Sequence, residues 1–109
     1  MKGLSQEQID EISSISSEIA SIDKVILFGS RAMGTNSAAS DVDLVLVGAK
    51  ITLKEQLHIN AQLNESRSLL KYDVVRFSTI RNEKLIEHIK KYGVVVYAKE
   101  DKPGSSSAF

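Results

Sequence analysis

The stretch from Lys24 to Val47 reads KVILFGSRAMGTNSAASDVDLVLV and holds two apolar runs on either side of a small, polar segment. The first run, Lys24–Phe28, is short and partly β-branched, which predicts a strand that ends where Gly29 lets the chain turn. Residues 29–40 predict a turn, or one helical turn, followed by a loop. The second run, Asp41–Val47, is apolar on both faces at its middle, which predicts a central strand covered by helices.

Helices and strands alternate through the rest of the chain. A capping box at Ser5 and isoleucines at steps of three or four predict a first helix along Ile9, Ile12, Ile15, Ile19 and Ile22. The later elements are a helix from Thr52, capped with Glu55, toward Ser66, a strand over Leu69–Phe77, a helix begun by Ser78 or Thr79 and stopped by Gly93, and a strand over Val94–Tyr97. This alternation predicts an α/β fold in which helices flank a sheet of about four strands.

The length of 109 residues and the 42% hydrophobic content predict a single compact domain and argue against a two-domain enzyme. We place this domain at residues 1–98. Residues 99–109 read KEDKPGSSSAF, a polar composition that predicts a flexible tail or an added linker.

The charges and the missing cysteines narrow the classes of function. Fourteen basic and fourteen acidic residues cancel, so the basic excess that direct nucleic-acid binding needs is absent. A chain without cysteine has no thiolate nucleophile and no cysteine-ligated zinc, and it suits a reducing compartment. The apolar runs are far shorter than the ~20 residues of a membrane helix, and no signal-peptide core is visible. We therefore expect a cytoplasmic protein with no membrane partner.

Three aspartates are candidates for metal binding. Asp41 and Asp43 are two residues apart, so on a strand their side chains point the same way and can converge on one divalent cation. Mutual repulsion at the start of an apolar strand favours a bound Mg²⁺, although aspartates are also common at exposed strand ends. Asp73 lies inside the third predicted strand, where an unpaired buried carboxylate is costly. It could join the other two on one sheet edge or pair with Arg67, Lys71 or Arg76.

Gly29 and Ser30 follow the first predicted strand directly and are candidates for phosphate binding. Glycine permits a close backbone approach, and exposed amides with a serine hydroxyl can donate hydrogen bonds to anionic oxygens. A plain turn would look similar. The spacing of Gly29 and Gly34 fits a Walker A loop, but Thr35 stands where that motif requires lysine, so a P-loop is excluded.

The order Gly29-Ser30, a spacer over residues 31–40, and Asp41-x-Asp43 on a strand resembles the signature of the DNA polymerase β-like nucleotidyltransferase superfamily. The likeness is greatest to its minimal members. KYDVVRF around Asp73 and the closing GVVVY extend the likeness over most of the chain. The resemblance implies the fold of that superfamily, a mixed four-stranded sheet with flanking helices.

The resemblance also implies a site with two Mg²⁺ ions and ATP as the donor. The nucleotide phosphates would contact Gly29, Ser30 and Arg31, and the catalytic, metal-binding acids would be Asp41, Asp43 and Asp73. In that scheme Asp73 also assists deprotonation of the attacking hydroxyl. Arg31 could instead be an exposed or locally paired arginine. Met33 departs from the family pattern, where many members carry a second basic residue, and this weakens the expected triphosphate affinity.

Minimal members of the superfamily are often encoded beside a small helical HEPN-type protein, and several act as antitoxins that transfer AMP to a tyrosine of that partner. The resemblance therefore implies a toxin-antitoxin function with a HEPN-type partner, and it leaves homo-oligomers open. The alternative is a catalytically silent binding module that neutralises or scaffolds its partner by occlusion. His58 and His88 lack metal-ligand spacing, so we expect them to have surface or half-buried structural roles.

Overall fold

The computed structural model describes residues 3–37, 40–65 and 70–99. Its strands are β1 (Lys24–Phe28), β2 (Val42–Val47), β3 (Tyr72–Arg76) and β4 (Val94–Ala98). Its α-helices are α1 (Gln6–Ser17), α2 (Ser30–Met33), α3 (Leu53–Asn64) and α4 (Glu83–Tyr92).

The four strands form one sheet in the order β3, β2, β1, β4. β1 pairs antiparallel with both β2 and β4, whereas β2 and β3 are parallel. The predicted α/β class, with a mixed four-stranded sheet and flanking helices, is therefore confirmed. β2 is a central strand, as its continuous apolar run predicts.

Both predicted capping boxes are present. Ser5 Oγ accepts from Gln8 N at 3.1 Å while Gln8 Oε1 accepts from Ser5 N at 2.8 Å, and Thr52 and Glu55 make the same reciprocal pair. These side chains satisfy amides that would otherwise have no partner in the first turn of a helix. The positions at which α1 and α3 begin are therefore determined by the few residues at each helix start.

The end of α1 differs from the prediction. The helix ends at Ser17, so Ile19 and Ile22 belong to the turn before β1, where Ile22 N donates to Ile19 O at 3.1 Å. Ile22 is nevertheless completely buried. The spacing of apolar residues indicates which side chains face the core, but it does not show where the helix ends. Here a tight turn after the helix still directs Ile22 into the core.

The start of α4 is also corrected. Ser78 and Thr79 lie in a short 3-10 turn, Phe77–Thr79, and the N-cap is Asn82, whose side chain accepts from Lys84 N and Leu85 N. β3 is shorter than predicted at its carboxyl end because Phe77 belongs to that turn. Leu69, where the strand was predicted to begin, lies outside the described residues.

Alternate residues of the strands pack into two cores on opposite faces of the sheet. The larger core lies between the sheet and helices α1 and α3, and we call this side the α1/α3 face. Its buried members are Leu4, Ile12, Ile22, Val25, Leu27, Val42, Leu44, Leu46, Ile51, Ile59, Leu63, Tyr72, Val74 and Val96. The smaller core lies on the side we call the α4 face, and its buried members are Ile26, Phe28, Val45 and Ile89.

Side chains of α3 cover the outer edge of β3. Asn64 Oδ1 accepts from Tyr72 N and Asn64 Nδ2 donates to Tyr72 O, both at 2.9 Å, while Gln56 Nε2 donates to Val74 O at 3.0 Å. These backbone groups point away from β2 and would otherwise lie open at the sheet edge. The two amides thus take the place of a fifth strand.

The chain continues in contact with the sheet past the predicted domain boundary. Lys99 N donates to Asp23 O at 2.8 Å, and Lys99 Nζ donates to Ala20 O at 2.7 Å. The rest of the predicted tail, residues 100–109, lies outside the described residues. None of the helices in the described ranges has the length and apolar character needed to cross a membrane.

Candidate active site

The parallel register of β2 and β3 places Asp43 directly opposite Asp73. Strand alternation turns both side chains toward the α4 face, because the neighbouring residues Leu44 and Val74 belong to the core on the other face. Asp41 stands two residues before Asp43, just ahead of β2. The predicted proximity of the second and third strands is therefore present in the fold.

The three carboxylates differ in exposure. Asp43 is half-buried, whereas Asp41 and Asp73 are exposed. The expectation that Asp73 is buried within its strand is wrong, because β3 is an edge strand and solvent reaches that position. Of its predicted alternative partners, Arg76 donates instead to Gln56 Oε1 and to Ile51 O, and Arg67 lies outside the described residues.

Asp43 is the electrostatically perturbed member of the group. Burial raises the pKa of its carboxyl, and the negative charges of Asp73 and Asp41 raise it further. Desolvation and nearby like charge both disfavour the ionised form of a carboxyl group. The repulsion inferred from the sequence is thus a property of the folded chain.

The carboxylate oxygens of these acids suit an Mg²⁺ ion that is also coordinated by the phosphates of a substrate. Within the described residues, no group of three acidic, histidine or cysteine side chains is arranged to hold a metal ion. Mg²⁺ in phosphoryl-transfer sites is commonly bound by one or two carboxylates, with substrate phosphates and waters completing its coordination. The paired carboxylates of Asp43 and Asp73 fit that mode, and a divalent cation would relieve their repulsion.

The turn between β1 and α2 passes directly beside Asp43. Gly29 has φ 77° and ψ −158°, a backbone conformation that residues other than glycine rarely adopt. A Cβ at Gly29 would overlap the carboxylate oxygen Oδ2 of Asp43. The positive φ therefore favours glycine at this position, and a larger residue would also have to displace the Asp43 carboxylate. Ser30 follows as the first residue of α2.

Arg31, a candidate nucleotide contact by resemblance, is buried and bonded to the backbone of the protein. It is only 6% exposed. Its Nε and Nη2 donate to Ser40 O at 3.1 and 2.8 Å, and its Nη1 donates to Gly3 O at 2.8 Å. Local pairing is thus the arrangement observed, and the guanidinium is committed to joining α2 to the residue before Asp41.

His88 belongs to this site, whereas only a surface or half-buried structural role was predicted for it. Its Nε2 accepts a hydrogen bond from Gly29 N at 3.0 Å. A signal for this placement was available, because Leu85, His88, Ile89 and Tyr92 have the spacing of the sheet-facing side of a helix. His58, by contrast, is exposed on α3.

The chain is similar to known proteins over most of its length. Residues 10–102 match the family described as Polymerase beta, Nucleotidyltransferase. A relative from Methanocaldococcus jannaschii, named "Putative protein adenylyltransferase MJ0141", is 41% identical over 80 residues, which cover 69% of this chain and 79% of the relative.

Solved structures agree on the fold. A toxin-antitoxin structure with AMP-PNP superposes with a TM-score of 0.67 at 18% identity, covering 89% of this chain and 76% of that chain. A tri-AMPylated HEPN toxin in complex with MNT antitoxin, from Shewanella oneidensis, gives 0.66 at 16% identity and covers 86% and 72%. At these identities the structures establish the fold alone. With the family match over most of its length, the chain belongs to the polymerase beta nucleotidyltransferase family and resembles its minimal members.

Proposed function

We propose that this chain transfers AMP from ATP, with Mg²⁺, to a tyrosine hydroxyl of a small helical HEPN-type protein, and that it serves as the antitoxin of that partner. The observation that carries the proposal is the register of Asp43 opposite Asp73, on one face of the sheet and beside the Gly29 turn. Carboxylates on neighbouring strands next to a glycine turn suit a reaction that depends on positioning and on charge compensation.

In the proposed reaction the acceptor oxygen attacks the α-phosphorus of ATP. A new phosphorus–oxygen bond forms to the acceptor, the bond to the leaving pyrophosphate breaks, and the acceptor hydroxyl loses its proton. Asp73 is exposed on the edge strand, where an incoming hydroxyl can reach it, and it assists that proton transfer. Bound Mg²⁺ would offset negative charge on the phosphates and would lower the pKa of the attacking hydroxyl.

The remaining residues hold the donor. Asp43 and Asp73, with Asp41 nearby, would bind the metal, and the backbone at Gly29 and Ser30 would lie against the phosphates. Arg31 is left out of this set because its guanidinium is buried in hydrogen bonds to backbone carbonyls. Binding of the triphosphate is therefore expected to depend on the metal and on backbone contacts more than on a cationic side chain.

The comparisons support the donor and the partner. The relative named as a protein adenylyltransferase supports AMP as the transferred group. Structures of the same fold include a toxin-antitoxin with AMP-PNP and an AMPylated HEPN toxin in complex with an MNT antitoxin. Transfer to a HEPN-type protein is thus the acceptor chemistry to test first.

The test is incubation of this protein with a HEPN-type protein from the same genome, ATP and Mg²⁺, followed by intact mass measurement of the partner. We expect the mass of AMP to be added to the partner. We expect Asp43→Ala to lower the rate by about a thousandfold or more, since metal charge stabilisation contributes several kcal/mol to such transition states. The complex with the partner should persist in that variant.

Asp23→Ala is the matched control, because Asp23 is an exposed aspartate just before β1 and lies at the other end of that strand. It should leave the transfer rate unchanged. Unchanged labelling by Asp43→Ala would contradict the catalytic assignment. Absence of Mg²⁺-dependent labelling, with partner inhibition that survives loss of Asp41 and Asp43, would instead identify a binding module.

A further inference from the structure

His88 joins α4 to the turn at Gly29 across 59 residues of sequence. Gly29 N donates to His88 Nε2 at 3.0 Å, so this ring nitrogen carries a lone pair and the ring hydrogen lies on Nδ1. The contact holds the peptide that leads from β1 into α2. A glycine peptide is the one most able to rotate when such a contact is missing.

Two aromatic rings restrain the imidazole. The ring of Phe28 meets it edge to face, with centroids 6.4 Å apart and an interplanar angle of 76°. The ring of Tyr92 lies 5.4 Å away with an angle of 43°. Ile89, the next residue of α4, is completely buried in the core of the α4 face and anchors the helix against the sheet. The acceptor nitrogen is therefore held by packing on more than one side.

The other side of the same glycine faces Asp43. A Cβ at Gly29 would overlap Asp43 Oδ2, and Phe28 is the register partner of Asp43 across β1 and β2. The Gly29 peptide is thus confined between an imidazole from α4 and a carboxylate from β2. Ser30 follows immediately, so its place relative to Asp43 depends on this peptide.

We propose that His88 is a positioning residue of the active site, which fixes the Gly29 peptide and so sets the Gly29–Ser30 turn beside Asp43 for the triphosphate. This role rests on the proposed function, in which that turn contacts the nucleotide phosphates. His88 does not contact the reacting atoms, and its effect is carried by one hydrogen bond.

Two variants separate the hydrogen bond from the packing. His88→Phe retains an aromatic ring beside Phe28 and Tyr92 but has no acceptor for Gly29 N–H. His88→Gln loses the ring but offers an amide oxygen at a similar reach. His58→Phe, at an exposed position on α3, is the matched control for placing phenylalanine on this protein. Circular dichroism establishes that each variant is folded.

The first readout is amide hydrogen exchange at Gly29, followed by NMR on the full chain. Loss of one neutral hydrogen bond should accelerate exchange roughly tenfold in His88→Phe. His88→Gln and His58→Phe should stay close to wild type. Exchange at Gly29 that is the same in His88→Phe as in wild type would overturn the proposal, whatever the enzyme does.

The second readout is steady-state transfer with ATP and Mg²⁺. We expect kcat/KM for ATP to fall roughly tenfold in His88→Phe, and we expect His88→Gln to recover most of that loss. A role in packing alone predicts the reverse order, with glutamine the more damaging replacement. That reverse order would overturn the proposal.

The two readouts keep the proposals distinguishable. If wild type transfers no nucleotide to any HEPN-type protein, the proposed function fails. The dissociation constant of Mg²⁺–ATP then replaces kcat/KM, and a rise of roughly tenfold in His88→Phe alone upholds the positioning role. Equal affinities in His88→Phe and wild type, or wild type that does not bind Mg²⁺–ATP, overturn it.

Discussion

The two faces of the sheet do different work. The α1/α3 face has fourteen buried apolar residues in one core, whereas the α4 face has four. All three candidate acids, the Gly29 turn and His88 belong to the lightly packed face or to the sheet end beside it. A sheet of only four strands can therefore devote one face to stability and leave space for polar groups on the other.

Two neighbouring residues on β2 show the division. Leu44 is completely buried on the α1/α3 face, while Asp43 is half-buried on the α4 face. Replacing each in turn changes different properties of the protein. Substitutions on the two faces test whether stability and the acidic site can be changed separately.

The largest expected effect on stability is that of Leu44→Ala. It should lower the free energy of unfolding by about 3 kcal/mol, because a filled core site loses both apolar contact and packing. This is a large share of the ~5–15 kcal/mol that stabilises an ordinary domain. Urea denaturation measures it. Asp43→Ala, one residue away, is the control and should move the unfolding midpoint far less, so equal losses would refute the division between faces.

Asp43→Asn should show a smaller effect whose sign depends on pH. The pKa of Asp43 is raised in the folded protein, chiefly by burial. The ionised form is therefore less favourable in the folded than in the unfolded chain, and stability falls as pH rises from the ordinary aspartate range through the raised pKa. Asp43→Asn should exceed wild type in stability at pH 7, and the advantage should vanish in acid.

Urea midpoints on either side of that interval provide the measurement, with Asp23→Asn as the control at an exposed site. An asparagine variant that is less stable than wild type at pH 7 would contradict the electrostatic account of the site. So would an advantage that persisted below the ordinary pKa of aspartate, because both chains are then neutral at this position.

The smallest expected effect comes from Ser16→Ala on the α1/α3 face. Ser16 is 1% exposed, and its Oγ has no hydrogen-bond partner among the described residues. Removing a buried hydroxyl of this kind should raise the free energy of unfolding by up to about 1 kcal/mol. Ser14→Ala, exposed on the same helix, controls for helix propensity. A larger loss than in Ser14→Ala would show that the hydroxyl stabilises the core.

Features of the fold that depend on nearby residues were predicted from sequence. Each capping box, at Ser5 and at Thr52, involves only four consecutive residues. The central position of β2 was predicted from the apolar run of that strand alone. The adjacency of Asp43 and Asp73 was predicted only on the condition that their strands pair. Magnesium and ATP binding stay predictions.

Contacts between residues far apart in the chain were not specified by the sequence, although local pairing was one of the two roles predicted for Arg31. The Arg31 guanidinium donates to the carbonyls of Gly3 and Ser40. His88 accepts from the amide of Gly29, 59 residues away in the sequence. No local pattern specifies such partners, because the topology of the sheet decides which side chains meet. Asn82 was missed as a cap for a different reason, since Ser78 and Thr79 offered equally good caps one turn earlier.

The covered edge of β3 has a consequence for assembly. Asn64 and Gln56 already bind the outward-facing backbone groups at Tyr72 and Val74. A second chain cannot extend the sheet by strand addition there without displacing them. The flank of the sheet that carries Asp73 is thereby kept clear of β-augmentation, and an acceptor hydroxyl can approach it from solvent.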